Sequence, residues 1–140
     1  MPDVSEMNTF NQKVIKEFRE NQGKVGGDFS GAPMVLITTK GAKSGQMRTT
    51  PLVYSKDGDR VVIIASMGGA PKHPAWFLNL KANPEVTVEV GTEKYQARAV
   101  VPQGAERDRL FNAQAALMPN FAEYQTKTTR VIPAVVLERT

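Results

Sequence analysis

The densest cluster of chemically useful residues is Lys40-Gly41-Ala42-Lys43-Ser44-Gly45-Gln46-Met47-Arg48. Two glycines free the backbone so that its N–H groups can approach an anion, Lys43 and Arg48 supply charge, and Ser44 supplies a hydroxyl. That is the inventory of a phosphate cradle. It is not a Walker A loop, because Ala42 stands where that motif needs glycine and a strand rather than a helix follows. An exposed hairpin loop with two solvated cations is the structural alternative for the same residues.

Three further constellations carry weaker signals. In Ile64-Ala65-Ser66-Met67-Gly68-Gly69 a buried strand ends in a small polar residue and two glycines. Such an end lets a flat ligand lie against the backbone, with Ser66 placed to bond it or offer a proton; a serine that merely satisfies a strand terminus is the alternative. Pro74-Ala75-Trp76-Phe77-Leu78-Asn79 opens a helix behind a loop carrying Lys72 and His73, and a helix N-terminus favours anions. Trp76 is expected to be largely core, packing with Leu80, and His73 alone is weak evidence. In Pro119-Asn120-Phe121-Ala122-Glu123-Tyr124-Gln125, a helical turn would set Phe121 and Tyr124 on one face. They could wall a pocket with the Tyr124 hydroxyl as its polar handle, or simply pack.

These residues need elements to hold them. Met7, Phe10, Val14 and Phe18 recur at helical spacing between about Ser5 and Asn21, with Ser5 as the expected N-cap and Gly23 as the stop. Residues 23–33 read as a linker, rich in glycine. Strands are expected over Met34–Thr39, Arg48–Ser55 and Arg60–Ser66, with Pro51 marking an edge or bulge and an Asp57-Gly58 turn between the last two. After the helix Ala75–Ala82, alternation predicts strands through Val86, Val88 and Val90 and through Ala97, Ala99 and Val101. A helix from about Ala105 to Leu117, with Leu110, Phe111 and Leu117 inward, ends at Pro119, and VIPAVVLE is a last strand. Strands in two hairpin groups rather than βαβ units predict one α+β domain over 1–140. It should be a small closed or split β-barrel of about six mostly antiparallel strands, with an N-terminal helix and two more.

Composition narrows the chemistry. The chain has 140 residues, no cysteine and one histidine, His73. Disulfides, thiolate sites, a cysteine nucleophile and multi-histidine metal centres are excluded, and no metal is expected. The net charge of +4 points to an anionic partner. The cations are scattered and form no known nucleic-acid motif; an acidic small molecule explains the charge equally well, and a merely solvated basic surface is the plain alternative. Apolar runs such as Val61–Ala65 are too short to span a bilayer. The polar, acidic N-terminus lacks a signal-peptide pattern, so the expected location is the cytoplasm. The first helix carries Lys13, Lys16 and Arg19 mixed with Glu17 and Glu20, a balance that favours a cap on the barrel over peripheral contact with the inner membrane face. A monomer is the preferred oligomeric state.

The order and spacing of GAKSGQMRTTPL, VVIIASMGGAPKHPAWFLNLKANP and the closing MPNFAEYQTKTTRVIP resemble the deazaflavin-dependent nitroreductase family of actinobacteria. The resemblance covers most of the chain after the first helix. It implies a split β-barrel that binds coenzyme F-420, an 8-hydroxy-5-deazaflavin. It implies that Ala42, Lys43, Ser44 and Arg48 bind the phosphate-bearing side chain, with Thr49, Thr50, Pro51, Leu52 and Val53 lining the same groove. Ile64, Ala65, Ser66 and Met67 would meet the deazaflavin ring, Ala75, Trp76, Phe77, Leu78 and Asn79 would close the far side, and Tyr124 would face ring or substrate. Lys40, Lys72 and Lys81 are then available for the coenzyme's acidic tail. Met67 replaces a lysine of the nitroimidazole-activating member, and Phe121 and Val53 replace pocket tyrosines, which leaves the pocket less polar.

The implied reaction is hydride transfer from the reduced deazaflavin to an electron-poor acceptor: a quinone, a nitroaromatic or an α,β-unsaturated carbonyl such as a lactone. Ser66 and Tyr124 are the candidates to hold the acceptor or protonate the product. An FMN-dependent oxidoreductase on the same barrel is the runner-up, and a non-catalytic carrier of deazaflavin, haem or a fatty acid is a third reading.

Overall fold

The structure, a computed structural model, describes residues 4–23, 33–43, 45–66, 69 and 73–140, with side chains from Gln12 onward. Its strands are β1 (Met34–Lys40), β2 (Met47–Asp57), β3 (Arg60–Ile64), β4 (Glu85–Val90), β5 (Glu93–Val100) and β6 (Ala134–Arg139). Its helices are α1 (Val4–Glu20), α2 (Ala75–Ala82), α3 (Gly104–Leu117) and α4 (Asn120–Thr126). The strands close into a barrel in the order β1-β2-β3-β6-β5-β4, and every pairing is antiparallel.

Alternation along the strands builds the interior. Val35, Ile37, Val61, Ile63, Val86, Val88, Ala97, Val135 and Leu137 point inward and form one core. Trp76, Phe77 and Leu80 of α2 join that core, so α2 plugs one end of the barrel. The opposite faces of β3 and β6 present Val62, Ile64, Ala134 and Val136 to Leu110 and Phe111 of α3 and Phe121 of α4. Val14 and Phe18 of α1 cover Met34 and Leu36 of β1. The other half of that helix's apolar stripe, Met7 and Phe10, falls outside the described side chains, as do residues 24–32 of the linker.

The end of α1 is anchored by main-chain contact. Gly23 has a φ of +93°, and a Cβ there would lie 2.6 Å from the Cα of Gly91 in the β4–β5 turn. Arg19 makes a two-pronged bond to Glu89 of β4, at 3.1 and 2.9 Å.

Four details differ from the sequence expectation. α1 starts at Val4, so Ser5 lies inside the helix and is not its cap. A fourth helix, α4, follows Pro119, whose φ of −58° suits a helix start as well as it ends α3. Leu117 is 69% exposed, because the chain turns at Met118 and Phe121 takes over the packing against β3 and β6. β3 ends at Ile64, two residues early, where side chains replace strand pairing.

The barrel has two unlike ends. The β2–β3 and β4–β5 hairpin turns lie at one. The β1–β2 loop, the exit from β3, α2 and the segment leading into β6 lie at the other. At this second end the wall is split. β2 pairs with β1 over Met47–Val53 but with β3 only over Tyr54–Asp57. Pro51 is tolerated because this half of β2 has a strand on one side only.

Candidate functional site

The β1–β2 loop is held from within. Gly41 N donates to Gln46 O at 2.8 Å, Gly45 N to Gly41 O at 3.0 Å, and Ala42 N to Asn79 Oδ1 of α2 at 3.0 Å. Three of the N–H groups expected to face an anion are thus committed to the protein, and the positive character of the loop rests on side chains. Lys40, Lys43 and Arg48 are exposed and pair with no carboxylate among the described residues. By contrast Arg19, Arg60, Arg107, Arg109 and Arg139 each pair with an acid. Ser44 lies outside the described residues.

Arg48, Thr49 and Thr50 open onto a cleft of about 650 Å³ whose far wall is Gln12, Ile15, Lys16 and Arg19 of α1. The Thr49 and Thr38 hydroxyls are 2.9 Å apart and share a hydrogen bond. Pro51, Leu52 and Val53 continue the open half of β2 and are half-buried. Leu52 packs on the interior core, and Val53 packs under α1.

The β3 exit forms the second wall. Ala65 is in the barrel core, while Ile64 packs outward near Phe121 and Tyr124. Ser66 is buried, and its carbonyl accepts from Gly69 N at 2.9 Å. Gly69 has a φ of +85°, and a Cβ there would sit 2.7 Å from the Tyr124 carbonyl oxygen. The exit therefore docks directly on α4. Tyr124 itself accepts a bond from Asn120 Nδ2 at 2.8 Å and meets Phe121 edge-on at 5.4 Å. Met67 and Lys72 lie outside the described residues.

One helix links the two walls. Asn79, buried on α2, braces the β1–β2 loop through Ala42 and reaches Thr39 Oγ1 at 3.4 Å. Just ahead of α2, His73 accepts at Nδ1 from Arg130 Nη1 at 3.2 Å, which leaves the proton on Nε2. Burial, then the positive charges of Arg130 and Lys81, push the His73 imidazolium below its ordinary range, so the ring is held neutral. Trp76 is core, as expected, and so is Phe77, whereas Ala75 and Leu78 face solvent.

Sequence reasoning passed over two residues that assemble this end. Arg130 bonds Ala65 O and Ser66 O as well as His73. Gln125 fixes the segment around it, donating to Arg130 O at 2.7 Å and accepting from Ile132 N at 3.0 Å and Arg107 Nη2 at 2.8 Å. A lone arginine just before an apolar strand was the only local signal.

The chain is similar to known proteins along most of its length. The F420H(2)-dependent quinone reductase family matches residues 11–139. An F420H(2)-dependent quinone reductase of Mycobacterium tuberculosis is 42% identical over 126 residues, covering 87% of this chain and 85% of its own. A solved F420-H2 dependent reductase superposes with a TM-score of 0.70 at 43% identity, over 76% of this chain and 94% of that one. A second solved relative, described as a domain-swapped dimer, gives a TM-score of 0.72 at 36% identity over 97% of this chain and all of its own. With the match running from α1 to β6 and two solved relatives sharing the split barrel, the chain belongs to the F420H(2)-dependent quinone reductase family.

Proposed function

We propose that this protein passes a hydride from reduced coenzyme F-420 to a quinone at the split end of the barrel. The observation that carries the placement is the set of cations Lys40, Lys43 and Arg48, paired with no carboxylate among the described residues, beside the open half of β2. Such a donor set suits a phosphate and a run of carboxylates, and the gap between β2 and the β3 exit suits a flat ring system. When bound, the reduced deazaflavin supplies the hydride. Lys43 and Arg48 would hold its phosphate, with Thr49 and Thr50 beside them. Lys40 and Lys81, with Lys72, would face its acidic tail. Ala65 and Ser66 would support one face of the ring, and Tyr124 would orient the quinone or donate a proton to the reduced product. The buried wall around Trp76, Phe77 and Ala65 excludes water from the transfer.

Titration of F-420 against Lys43→Ala and Arg48→Ala tests the cradle. Each charge-assisted phosphate contact is worth roughly 1.5–3 kcal/mol, or about ten- to a hundredfold in affinity. The loss should shrink at high salt. Unchanged affinity in both variants would reject the assignment. FMN has one phosphate and no acidic tail, so it should bind at least about tenfold more weakly. Purification with stoichiometric FMN would favour the runner-up chemistry instead.

The same reading treats α1 as a cap over the 650 Å³ cleft. Among the described residues no helix is long and apolar enough to cross a membrane. Liposome co-sedimentation that disappears on deleting residues 1–20 would replace the cap with a membrane contact. We read the protein as a monomer. Sedimentation velocity distinguishes that from the swapped dimer described for its relative.

A further inference from the structure

In an extended strand, successive carbonyls point to opposite sides. Ala65 O and Ser66 O do not. Arg130 Nη1 donates to Ala65 O at 3.1 Å and Nη2 to Ser66 O at 2.8 Å. A single planar guanidinium reaches both oxygens only if the chain has left the extended form by Ser66. The turn is completed by Gly69 N, which donates to the same Ser66 oxygen at 2.9 Å. On the other side Ala65 N still donates to Pro133 O at 2.9 Å, the last rung toward β6. The point at which β3 leaves the barrel wall therefore coincides with the reach of one side chain.

That side chain is anchored at its own base. Gln125 bonds the main chain on both sides of Val131, at Arg130 O and Ile132 N, and Arg107 Nε donates to Ile132 O at 2.9 Å. The guanidinium also donates to neutral His73, which leads into α2. α2 in turn braces the β1–β2 loop through Asn79 and Ala42. One cation thus ties the proposed ring-binding exit to the helix that holds the proposed phosphate-binding loop.

We propose that Arg130 is a positioning residue for hydride transfer: its fork sets where β3 turns out and hence where Ala65 and Ser66 support the cofactor ring, with His73 as its third attachment. The inference rests on the reading that the ring meets the β3 exit. A lysine cannot replace it, because a single ammonium on a flexible stem does not span two carbonyls and an imidazole in a fixed plane. The fork's bonds to Ala65 O, Ser66 O and His73 lie at the β3 exit and the start of α2, so its loss should act on the transfer step more than on cofactor affinity. Misplacement of reacting groups by about 1 Å can cost on the order of a hundredfold in rate.

The test combines F-420 titration with steady-state quinone reduction for Arg130→Lys, Arg130→Gln and His73→Asn, with Lys43→Ala as reference and thermal melts as a folding control. The expected result is a kcat lower by roughly ten- to a hundredfold in the Arg130 variants, with F-420 affinity changed by less than about threefold. Among the described residues, the charged groups around His73 are Arg130, Lys81, Arg107 and Asp108. Acid should protonate Nδ1 and release Arg130, so wild-type kcat should decline at low pH. His73→Asn, whose Oδ1 can accept from Arg130 at any pH, should lack that decline. Folded Arg130→Lys and Arg130→Gln proteins with kcat within about twofold of wild type would overturn the proposal. So would equal low-pH declines in wild type and His73→Asn. If Lys43→Ala binds F-420 normally, the cradle reading fails instead, whatever the Arg130 variants do.

Discussion

The two ends of the barrel are held by different physics. At the hairpin end, Asp57 accepts from Arg109 at 2.9 and 3.0 Å and also from Arg60, and Arg109 bonds Glu106 at 2.6 Å. Arg139 pairs with Glu93 at 3.0 Å. These charges, exposed apart from the half-buried Asp57, lie over turns whose main chain is already satisfied by strand pairing. At the split end, pairing between β2 and β3 stops, and side chains from distant segments bond main-chain groups instead: Asn79 to Ala42, Arg130 to Ala65 and Ser66, Gln125 to Arg130 and Ile132. Loss of a partner at the hairpin end leaves a charge that water can solvate. Loss of a partner at the split end leaves a main-chain donor or acceptor partly buried and alone, which is the costlier outcome. An end proposed to stay open for a ligand cannot use a continuous ladder.

The sharpest break is expected from Gly69→Ala. The substitution forces a side chain into a left-handed backbone and against the Tyr124 carbonyl. A strained conformation of this kind costs about 1–3 kcal/mol, or several degrees of Tm in a domain of this size. Quinone turnover should fall with it, since the exit moves off α4. A melt and a turnover rate both matching wild type would show that the exit is not held where the geometry puts it.

Asn79→Leu should come next. It keeps α2 packed but strips Ala42 N of its acceptor, at a cost of roughly 1–3 kcal/mol. Hydrogen exchange at Ala42 should accelerate and F-420 affinity should drop with no change in the hairpin turns. Protection that persists at Ala42 would mean that another acceptor serves the loop.

Acid should separate the ends. The His73 ring is held below its ordinary value of 6.5, so the unfolded chain takes up the proton first. The stability that depends on the neutral ring is complete above that value and drains as pH falls below it. Hydrogen bonds from Arg109 and Arg60 hold the Asp57 carboxyl far below its ordinary 3.8. Its contribution is complete above that value and declines only in stronger acid. Amide protection followed by NMR should therefore fade around His73 and Arg130 before it fades around Asp57. The reverse order would contradict the assignment of a neutral His73. The smallest effect is expected from Asp57→Asn, whose partners stay solvated; its change in Tm should vanish in high salt.

The strands and the first helix were legible because their signals are local. Val86, Val88 and Val90 alternate, Asp57-Gly58 marks a turn, and Val14 and Phe18 recur at helical spacing. The two walls of the site were legible as segments: Lys43 and Arg48 stand out as cations near glycines, and Ser66 as a polar strand end. Their joints were not. The resemblance placed Asn79 beside the cofactor, but its bond to Ala42, distant in sequence, appears only when the fold brings the two together. Gln125 and Arg130 lie inside motifs singled out for other residues, and nothing local shows that they bond the main chain around β3 and β6. The resemblance placed Phe77 beside the cofactor; that its ring joins the barrel core is decided by the fold.

What the sequence determined by itself is what short-range chemistry can write: six strands, an amphipathic first helix, an excess of positive charge, the absence of thiols, and a cation-rich loop beside a strand. Periodicity and turn propensity act over a few residues, so a reader of residues can recover them. The tertiary structure alone decided that β2 would lose its partner halfway, that the N–H groups of Gly41, Ala42 and Gly45 would turn inward, and that Arg130 would reach the carbonyls just beyond β3. Those outcomes depend on which main-chain groups are left unsatisfied once the barrel closes. Closure is a property of all six strands at once, and no single segment carries it.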